Sequence, residues 1–480
     1  MDGAHEFCWS SLWEKAQVNP LNGKSYTFPI FRVWDMYSTA FWLATLGFFV
    51  AFLSWFAFSP LVPEAVRDDL QLTQAQVINS NLASLGGTAI VRLIAGPACD
   101  RFGPRKVMAA LLILGAIPSG LAALVTNIGE LEAVRFFISI LGGTFVPCQA
   151  WTTTFFDKSV VGTANAFAGG WGNLGGGVTV AVMIGLYETY VRAGFSSHLA
   201  WRICFPTVPV PCLLLVAGMV LLFGKDHPAG KWSNRHHASE PTEGATVGNT
   251  VSVVDTAQSE PLTLATFLKV IADPRVWMCF MCYLLTFGLE TALDAGLPGL
   301  VNTLFASDNF THVDAAYAAS TYGLLNLFAR PVGGVIADML YSRWGLKAKV
   351  WWLLGTALSQ GIAMIGLGMY INYSDATLGG VIGFIVLIAV TGFAANGACY
   401  AVYGHLRPKN IGAVAGLVGA GGNIGGLFYT LIFRYQPGRR VLPTATTPGS
   451  NTLGTKFWIS GIVNFVGVLP FFFIGLGDAV

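Results

Sequence analysis

The sequence predicts an all-α membrane protein with twelve transmembrane helices in two related halves of six. Of its residues, 54% are hydrophobic and only 11% are charged, with a mean hydropathy of +0.60, whereas soluble domains carry about 25% charged residues. The charges cluster in short stretches between apolar runs of roughly 20 or more residues, which is the length that crosses a bilayer as a helix. A soluble protein is therefore excluded.

Twelve apolar runs define the predicted spans, and their even number places both termini on one side of the membrane. Most of the 27 lysines and arginines fall in the loops of that side, and this positive-inside bias predicts cytoplasmic termini. Residues 1–36 are polar and mixed in charge, so the first span is expected to serve as the targeting signal. The predicted spans cover residues 37–60, 77–99, 106–126, 131–153, 160–187, 201–223, 276–304, 312–338, 350–371, 378–403, 411–433 and 457–477.

A polar segment divides the chain. Residues 224–275 are rich in Lys, His, Ser, Glu, Thr and Pro. Within them, residues 233–261 have a composition typical of a flexible segment. We therefore predict an N-terminal six-helix half (1–223), a cytoplasmic linker (224–275) and a C-terminal six-helix half (276–480). The adjacent His236 and His237 have no further ligands nearby in the sequence, so a solvated loop is favoured over a metal site.

The two halves repeat each other. The stretch "VRLIAGPACDRFGPRK" (91–106) aligns with "ARPVGGVIADMLYSRWGLKAK" (329–349), and "GGWGNLGG" (169–176) aligns with "GAGGNIGG" (419–426). Both matches have nearly the same offset and fall on the second and fifth spans of each half, which indicates an internal duplication. Duplicated six-helix halves around a midplane site are a common plan among transporters.

Each half carries an arginine deep inside its second span. Arg92 lies eight residues before Asp100, and Arg330 lies eight residues before Asp338. Eight helical residues rise about 12 Å, so if the aspartates mark a membrane surface, the arginines lie near the middle of a hydrocarbon core about 30 Å thick. A cation at that depth costs on the order of 3 kcal/mol on insertion scales. We therefore predict that the two arginines form a buried anion site.

The loop between the second and third spans contains "GPACDRFGPRK" (96–106). It resembles the signature G-x-x-x-D-R-x-G-x-R-K of the major facilitator superfamily at every specified position, which implies the major facilitator fold. Physically, the motif provides a tight turn and a carboxylate that can latch onto a neighbouring helix in one conformation and release it in another. The residues assigned to gating in this loop and in its degenerate second copy are Asp100, Arg101, Arg105 and Asp338.

Asparagines stand within glycine-rich stretches of the fifth span of each half. Each helical glycine is less favourable than alanine by about 1 kcal/mol, so this density requires close packing or sliding of helices. Gly172 and Gly422 are assigned to gating on that basis, with close packing alone as an equally good explanation. The amides of Asn173 and Asn423 can orient an oxyanion or hold a neighbouring arginine.

The stretches "FAGGWGNLGGG" and "GLVGAGGNIGG" resemble the paired nitrate signatures of the nitrate/nitrite porter family of eukaryotes, and "VNPLNGKS" and "FFDKSVVGTANA" resemble its fungal members. The resemblance extends over essentially all twelve spans. It implies that Arg92 and Arg330 bind the anion and that Phe145, Tyr283 and Phe287 line the site. Generic apolar lining is the alternative for these three rings. Nitrate is a planar oxyanion, and planar guanidinium groups match its oxygens in a way that lysine cannot.

Uptake of an anion requires energy coupling. Moving one anion inward against 100 mV costs roughly 2.3 kcal/mol, so concentrative uptake needs more than one accompanying cation or an exchanged anion. Glu290 and Asp294 stand four residues apart in the seventh span. The element "FGLE" resembles eukaryotic family members, which are taken to be proton symporters, and this implies that Glu290 couples protons. A structural ion pair of Glu290 with Arg135 or another cation is the alternative.

The sequence thus predicts a plasma-membrane importer of nitrate, with nitrite as a further substrate, that works by proton symport and alternating access. Nitrate/nitrite exchange is the closest alternative, and a non-transporting nitrate sensor is a more distant one. The expected partners are nitrate, nitrite, protons and the bilayer; nucleic acid, cofactors, metals and enzymatic activity are not expected. Cys279 and Cys282 form a CxxC without a second ligand pair. Sequons at Asn309 and Asn372 fall in predicted outside loops and are candidate glycosylation sites.

Overall fold

The computed structural model describes residues 9–20, 22–233, 263–307, 310, 312–436, 438–441 and 450–473. This part of the chain contains twelve helices that are long and apolar enough to cross a membrane, so the predicted number of spans is confirmed. Spans one to twelve are Met36–Trp55, Gln74–Phe102, Pro104–Leu124, Ile128–Phe155, Val161–Arg192, Ser197–Phe223, Pro274–Phe305, Tyr317–Trp344, Leu346–Tyr373, Leu378–Leu406, Ile411–Tyr435 and Thr455–Phe472. Span eight differs most from its prediction, because it ends at residue 344 and was predicted to end at residue 338.

Span four is not one regular helix. It consists of the α-helices Ile128–Ile138 and Phe145–Phe155 joined by a 3₁₀ stretch, Ser139–Thr144. A Cβ atom at Gly142 would lie 2.5 Å from the Thr88 side chain, so the missing side chain allows span two to pack closely here. A 3₁₀ stretch also changes the pattern of backbone hydrogen bonds. The carbonyl of Gly142 is consequently available to a side chain of span two.

Spans six and eight are also interrupted. Span six divides into Ser197–Thr207 and Pro209–Phe223, where Pro209 cannot donate a backbone hydrogen bond. Span eight includes a 3₁₀ turn, Leu325–Leu327, between the helices His312–Leu324 and Ala329–Trp344. The shorter elements are Trp9–Leu12, Val62–Val66, Arg67–Asp69, Leu264–Ile271, Pro408–Asn410 and an antiparallel pair of two-residue strands, Arg440–Val441 and Ser450–Asn451.

The same tight turn occurs in both halves. Gly103 joins spans two and three with a φ of +90°, and Gly345 joins spans eight and nine with a φ of +74°. Glycine adopts these positive φ angles without the steric penalty of a side chain. Although the second copy of the loop motif is degenerate in sequence, its turn is retained.

The segment that connects the halves defines one end of the helix bundle, which we call the linker end; the opposite end is the far end. Residues 224–233 pack against the span two–three turn: Asp226 accepts a hydrogen bond of 2.7 Å from Nε of Arg105, and Trp232 donates to the carbonyl of Asp100 at 3.3 Å. The start of the linker is therefore folded, and residues 234–261 of the stretch predicted to be flexible lie outside the described residues. His236, His237 and the sequon residue Asn309 lie outside the described residues.

Glycines bring helices of opposite halves into direct contact. A Cβ atom at Gly96 of span two would lie 2.7 Å from the carbonyl oxygen of Gly412 in span eleven, and one at Gly334 of span eight would lie 2.5 Å from that of Gly162 in span five. Small residues at such crossings permit close backbone approach in membrane proteins. The second span of each half thus runs beside the fifth span of the other, which places both predicted arginines at the boundary between the halves.

Candidate substrate site between the two halves

Arg92 is completely buried at this boundary. Its Nε donates to the carbonyl of Gly142 at 2.9 Å, and its Nη1 donates across the boundary to the carbonyl of Gly419 at 2.8 Å. Its Nη2 has no hydrogen-bond partner, and no carboxylate lies within ion-pair distance, among the residues that the structure describes. Two neutral carbonyls thus fix the orientation of a guanidinium that keeps its positive charge uncompensated.

Arg330 is equally buried but has a counter-charge. Its Nη2 lies 2.5 Å from Oε2 of Glu290, and its Nη1 donates across the boundary to the carbonyl of Gly169 at 3.4 Å. Its Nε has no partner in the described part of the chain. The two arginines therefore occupy equivalent positions, and each donates to a carbonyl of the opposite half. They differ because only Arg330 has a carboxylate as its ion-pair partner.

The two predicted asparagines share those carbonyls. Nδ2 of Asn173 donates to Gly169 at 2.8 Å, and Nδ2 of Asn423 donates to Gly419 at 3.2 Å, in each case to the carbonyl four residues earlier. One carbonyl in each half consequently accepts from an asparagine of its own helix and an arginine of the other half. Each asparagine is thus linked to an arginine through a shared acceptor. Oδ1 of Asn423 is buried and has no partner within the described ranges.

The three predicted aromatic residues come together beside Arg92. The ring of Tyr283 is nearly parallel to those of Phe145 and Phe287, with centroid separations of 5.7 and 4.8 Å. The Arg92 guanidinium carbon lies 4.7 Å from the Phe145 centroid and 5.5 Å from that of Phe287. These distances allow cation–π attraction, which strengthens when water is excluded.

Span ten contributes residues that the sequence analysis missed. The hydroxyls of Tyr400 and Tyr283 share a hydrogen bond of 2.9 Å, and the Arg330 guanidinium carbon lies 5.5 Å from the Phe393 ring and 5.8 Å from the Tyr400 ring. The sequence "GFAANGACYAVYG" could have indicated them, because Phe393, Asn396 and Tyr400 are spaced so that they share one face of a helix. The two tyrosine hydroxyls link the aromatic lining of one arginine to that of the other.

Glu290 is buried and accepts three hydrogen bonds. Besides Arg330, it accepts from Nδ2 of Asn326 at 3.0 Å and from Nδ2 of Asn396 at 2.9 Å. Its cationic partner is thus Arg330, not Arg135, whose Nη1 donates to Ser80 at 2.8 Å. A buried carboxylate is stable in the ionised form only when such donors surround it. The candidate proton-coupling residue therefore contacts one of the two candidate anion ligands.

The aspartates of the two loop motifs bind the opposite half at the linker end. Asp100 accepts from the backbone N–H groups of Gly412 and Ala413, both at 2.9 Å, at the start of span eleven. Asp338 accepts from the backbone N–H and the hydroxyl of Thr163, at 2.6 and 2.8 Å, at the start of span five. Carboxylates are favourable at helix N-termini, where N–H groups lack intrahelical partners. Both contacts hold the halves together at this end.

Asp338 also differs from Asp100 in its neighbours. Nζ of the buried Lys349 lies 2.7 Å from Oδ1 of Asp338 and 2.8 Å from Nε2 of His405. Among the other predicted gating residues, Arg105 pairs with Asp226, as described above, and Arg101 is exposed beside the Phe102 ring. The positively charged part of the motif thus braces the turn of its own half.

The predicted gating glycines lie against aromatic rings. A Cβ atom at Gly172 would overlap the ring of Phe48 in span one, and one at Gly422 would lie 2.6 Å from ring atoms of both Tyr283 and Phe287 in span seven. Close packing therefore explains both glycines without direct ligand contact. No group of three or more His, Cys, Asp or Glu side chains that could hold a metal occurs in the described part of the chain.

Comparisons with known proteins agree with this architecture. Residues 44–430 match the model of the Major Facilitator Superfamily. The proton:xylose symporter XylE of E. coli has a similar fold, with a TM-score of 0.67 and 16% identity over 92% of this chain and 96% of that one. The predicted fold is therefore confirmed, and the chain is a multi-pass membrane protein.

Curated relatives narrow the family. The high affinity nitrate transporter 2.5 of Arabidopsis thaliana is 34% identical over 414 residues, which cover 85% of this chain and 76% of the relative. A probable nitrate/nitrite antiporter of Thermus thermophilus is 30% identical over 422 residues, covering 84% of this chain and 86% of the relative. Both names are those of transporters, and transporters of this superfamily are not enzymes. The chain belongs to the major facilitator superfamily and, within it, to the nitrate/nitrite porter family.

Proposed function

We propose that this chain imports nitrate, and also nitrite, across the plasma membrane by proton symport with alternating access. The observation that carries the proposal is the pair of buried arginines, each anchored on a carbonyl of the opposite half. Arg92 and Arg330 each retain a guanidinium nitrogen without a partner among the described residues. The names of the relatives, which are nitrate and nitrite carriers, support nitrate and nitrite as the anions.

The chemistry of nitrate fits this site. The anion is planar and has oxygens in three directions, and planar guanidinium groups can donate to two of them at once. We assign Arg92 and Arg330 as its ligands and the rings of Phe145, Tyr283 and Phe287 as the walls that exclude water. In such an environment an anion interacts strongly with arginine because solvent no longer screens the charges. Asn173 and Asn423 act indirectly, by holding the carbonyls on which the arginines rest.

The proton coupling in this proposal uses the contact between Glu290 and Arg330. While Glu290 is ionised, it occupies Nη2 of Arg330 and neutralises it. When Glu290 takes up a proton, it loses its negative charge and releases that nitrogen to the anion. Nitrate and a proton then favour each other's binding, which is the thermodynamic requirement for symport.

Alternating access would depend on the contacts at the linker end. Asp100 and Asp338 bind the first turns of spans eleven and five of the opposite half, so this end is closed between the halves. We propose that these bonds break when the site opens towards the linker end. The predicted bias of basic residues assigns the linker end to the cytoplasm, so the described conformation would precede release into the cell.

A flux experiment tests the proposed function. Purified protein in vesicles should accumulate ¹³N- or ¹⁵N-labelled nitrate when the outside is made acidic, and collapse of the pH gradient with a protonophore should stop accumulation. Empty vesicles provide the control for leakage. Absence of nitrate flux in either direction would contradict the assignment of the substrate.

Nitrate/nitrite exchange is a second candidate, because one relative is named an antiporter. The buried Glu290 favours symport, since exchange of two monovalent anions needs no titratable group. The same vesicles distinguish the two mechanisms when they are loaded with nitrite. Uptake that requires internal nitrite and ignores the pH gradient would establish exchange instead.

A further inference from the structure

A second carboxylate lies one helical turn from Glu290. Asp294 follows it by four residues in span seven, which places the two on the same face with a rise of about 6 Å. Glu290 is buried, whereas Asp294 is exposed. Span seven runs from the linker end to the far end, so Asp294 is the nearer of the two to the far end. Because the linker end is closed, solvent would reach Asp294 from the far end.

A buried phenol lies one turn of span eight from Asn326, a hydrogen-bond donor to Glu290. Tyr322 is 1% exposed, and its hydroxyl has no hydrogen-bond partner within the part of the chain that the structure describes. It interacts electrostatically with Glu290, Asp294 and Arg330. In span eight it precedes Asn326, which donates to Glu290, by one helical turn. Tyr322 and Asp294 are thus each one turn nearer to the far end than the Glu290 network. Burying a hydroxyl without a hydrogen-bond partner is energetically unfavourable, so such a group suggests a function.

We infer that Asp294 and Tyr322 form a proton relay that connects the far-end solvent with Glu290. The inference rests on the proposed function, in which Glu290 is the coupling group, and assigns its route of protonation.

The proton transfer is balanced without another reactant. Asp294 takes a proton from water and becomes neutral. Once the Tyr322 side chain turns so that its hydroxyl reaches both carboxylates, that proton passes to the hydroxyl oxygen as the hydroxyl gives its own proton to the carboxylate of Glu290. Asp294 ends ionised, Glu290 ends neutral, and rotation of the hydroxyl restores Tyr322.

The charges around Glu290 agree with transfer in this direction. Loss of the Glu290 charge removes repulsion from Asp294 and leaves Arg330 unneutralised, ready for an anion. The titratable or charged groups that face this network from the packed helices are Asp294 in span seven, Tyr322 and Arg330 in span eight, and Tyr400 in span ten.

The relay is tested by separating net transport from exchange. Tyr322→Phe and Asp294→Asn remove the relay groups with little change of shape. Vesicles containing each variant are assayed for nitrate accumulation driven by a pH gradient, and for counterflow, in which labelled nitrate exchanges for internal nitrate without net proton transfer. Tyr317→Phe is the matched control, because Tyr317 lies in the same helix but is 73% exposed.

We expect both variants to slow proton-driven accumulation by about tenfold or more, since proton-transfer groups contribute at least that factor, while counterflow and the control stay within about twofold of the unmodified protein. Unchanged accumulation in both variants, or an equal loss of counterflow, would overturn the relay. Failure of the proposed function is recognised separately. In that case the unmodified protein itself shows no nitrate counterflow, or shows counterflow without proton-driven accumulation, and the relay fails with it.

Discussion

Arg330 and Glu290 form an ion pair of 2.5 Å in which both side chains are buried. The pseudo-equivalent Arg92 has no carboxylate at ion-pair distance within the described ranges. The two halves therefore contribute matching cations, but only one of them carries a counter-charge that a proton can remove. In the proposed mechanism, this difference between the two arginines allows a single site to respond to both an anion and a proton.

Arg92→Lys should abolish most transport. Lysine keeps the charge, but its donors all lie on one nitrogen and cannot replace the separate Nε and Nη1 that reach the carbonyls of Gly142 and Gly419. We expect kcat/KM for nitrate to fall by about 100-fold or more, with normal amounts of protein in the membrane. The measurement is the initial rate of tracer uptake, normalised to surface protein. Arg434→Lys, at the far end of span eleven, is the control, and uptake by Arg92→Lys equal to that control would remove Arg92 from the site.

Glu290→Gln should separate nitrate movement from protons. Glutamine has one acceptor oxygen, so it keeps the hydrogen bond from only one of Asn326 and Asn396 as they are oriented. It leaves Arg330 without its counter-charge, so nitrate exchange should persist while accumulation driven by a pH gradient disappears. The dependence of uptake on external pH should flatten as well. Glu188→Gln, a surface variant in span five, should behave as the unmodified protein. If pH dependence is unchanged in Glu290→Gln, the carboxylate has only a structural role.

The two latch aspartates should differ in their effect on stability. Asp338→Asn leaves Lys349 buried without its ion pair, and breaking a buried pair in this way costs about 3 to 5 kcal/mol. Asp100→Asn replaces one of the two oxygens that accept from the N–H groups of Gly412 and Ala413 by an NH2 group. An N–H group left unpaired in this way costs about 1 to 3 kcal/mol, so we expect a smaller effect. Thermal unfolding in detergent compares the variants directly. Equal melting temperatures for the two would show that the Lys349 contact contributes nothing measurable.

Gly422→Ala should inactivate the transporter by displacing the site rings. Its new methyl group would lie 2.6 Å from ring atoms of Tyr283 and Phe287, which is too close for any real contact, so both rings would have to move. Gly177→Ala, in span five, meets no atom within 4 Å and serves as the control. We expect nitrate uptake to be lost in the first variant and retained in the second. Normal uptake with Gly422→Ala would mean that the ring positions are not critical.

The sequence was sufficient for the number of spans, because each is an apolar run of membrane length. The burial of Arg92 and Arg330 in the protein agrees with the prediction of two buried arginines, whereas their depth in the bilayer stays a prediction. The sequence was also sufficient to recognise that the two halves correspond, since each repeated motif is a short continuous stretch of sequence. The partner of Glu290 was left open. Its ligands Arg330 and Asn396 lie in other spans, 40 and 106 residues away in sequence, and helix spacing says nothing about which spans adjoin.

Residues whose function depends on tertiary packing were missed for the same reason. Tyr400 reads as another aromatic residue in an apolar span, and only the contact between spans seven and ten brings its hydroxyl to Tyr283. The polar composition of residues 224–233 predicted a linker but none of its contacts. These residues are folded because Trp232 covers the glycine turn at Gly103, a contact that composition alone cannot reveal.

The coupling of Arg330 to Glu290 can be tested directly by measuring whether the protein takes up protons when nitrate binds. Purified protein in weakly buffered detergent solution, with a pH indicator, is mixed with sodium nitrate. We expect the unmodified protein to take up protons as nitrate binds, and Glu290→Gln to bind nitrate without this uptake. Nitrate binding by the unmodified protein without proton uptake, or the same uptake in Glu290→Gln, would contradict the coupling of Arg330 to Glu290.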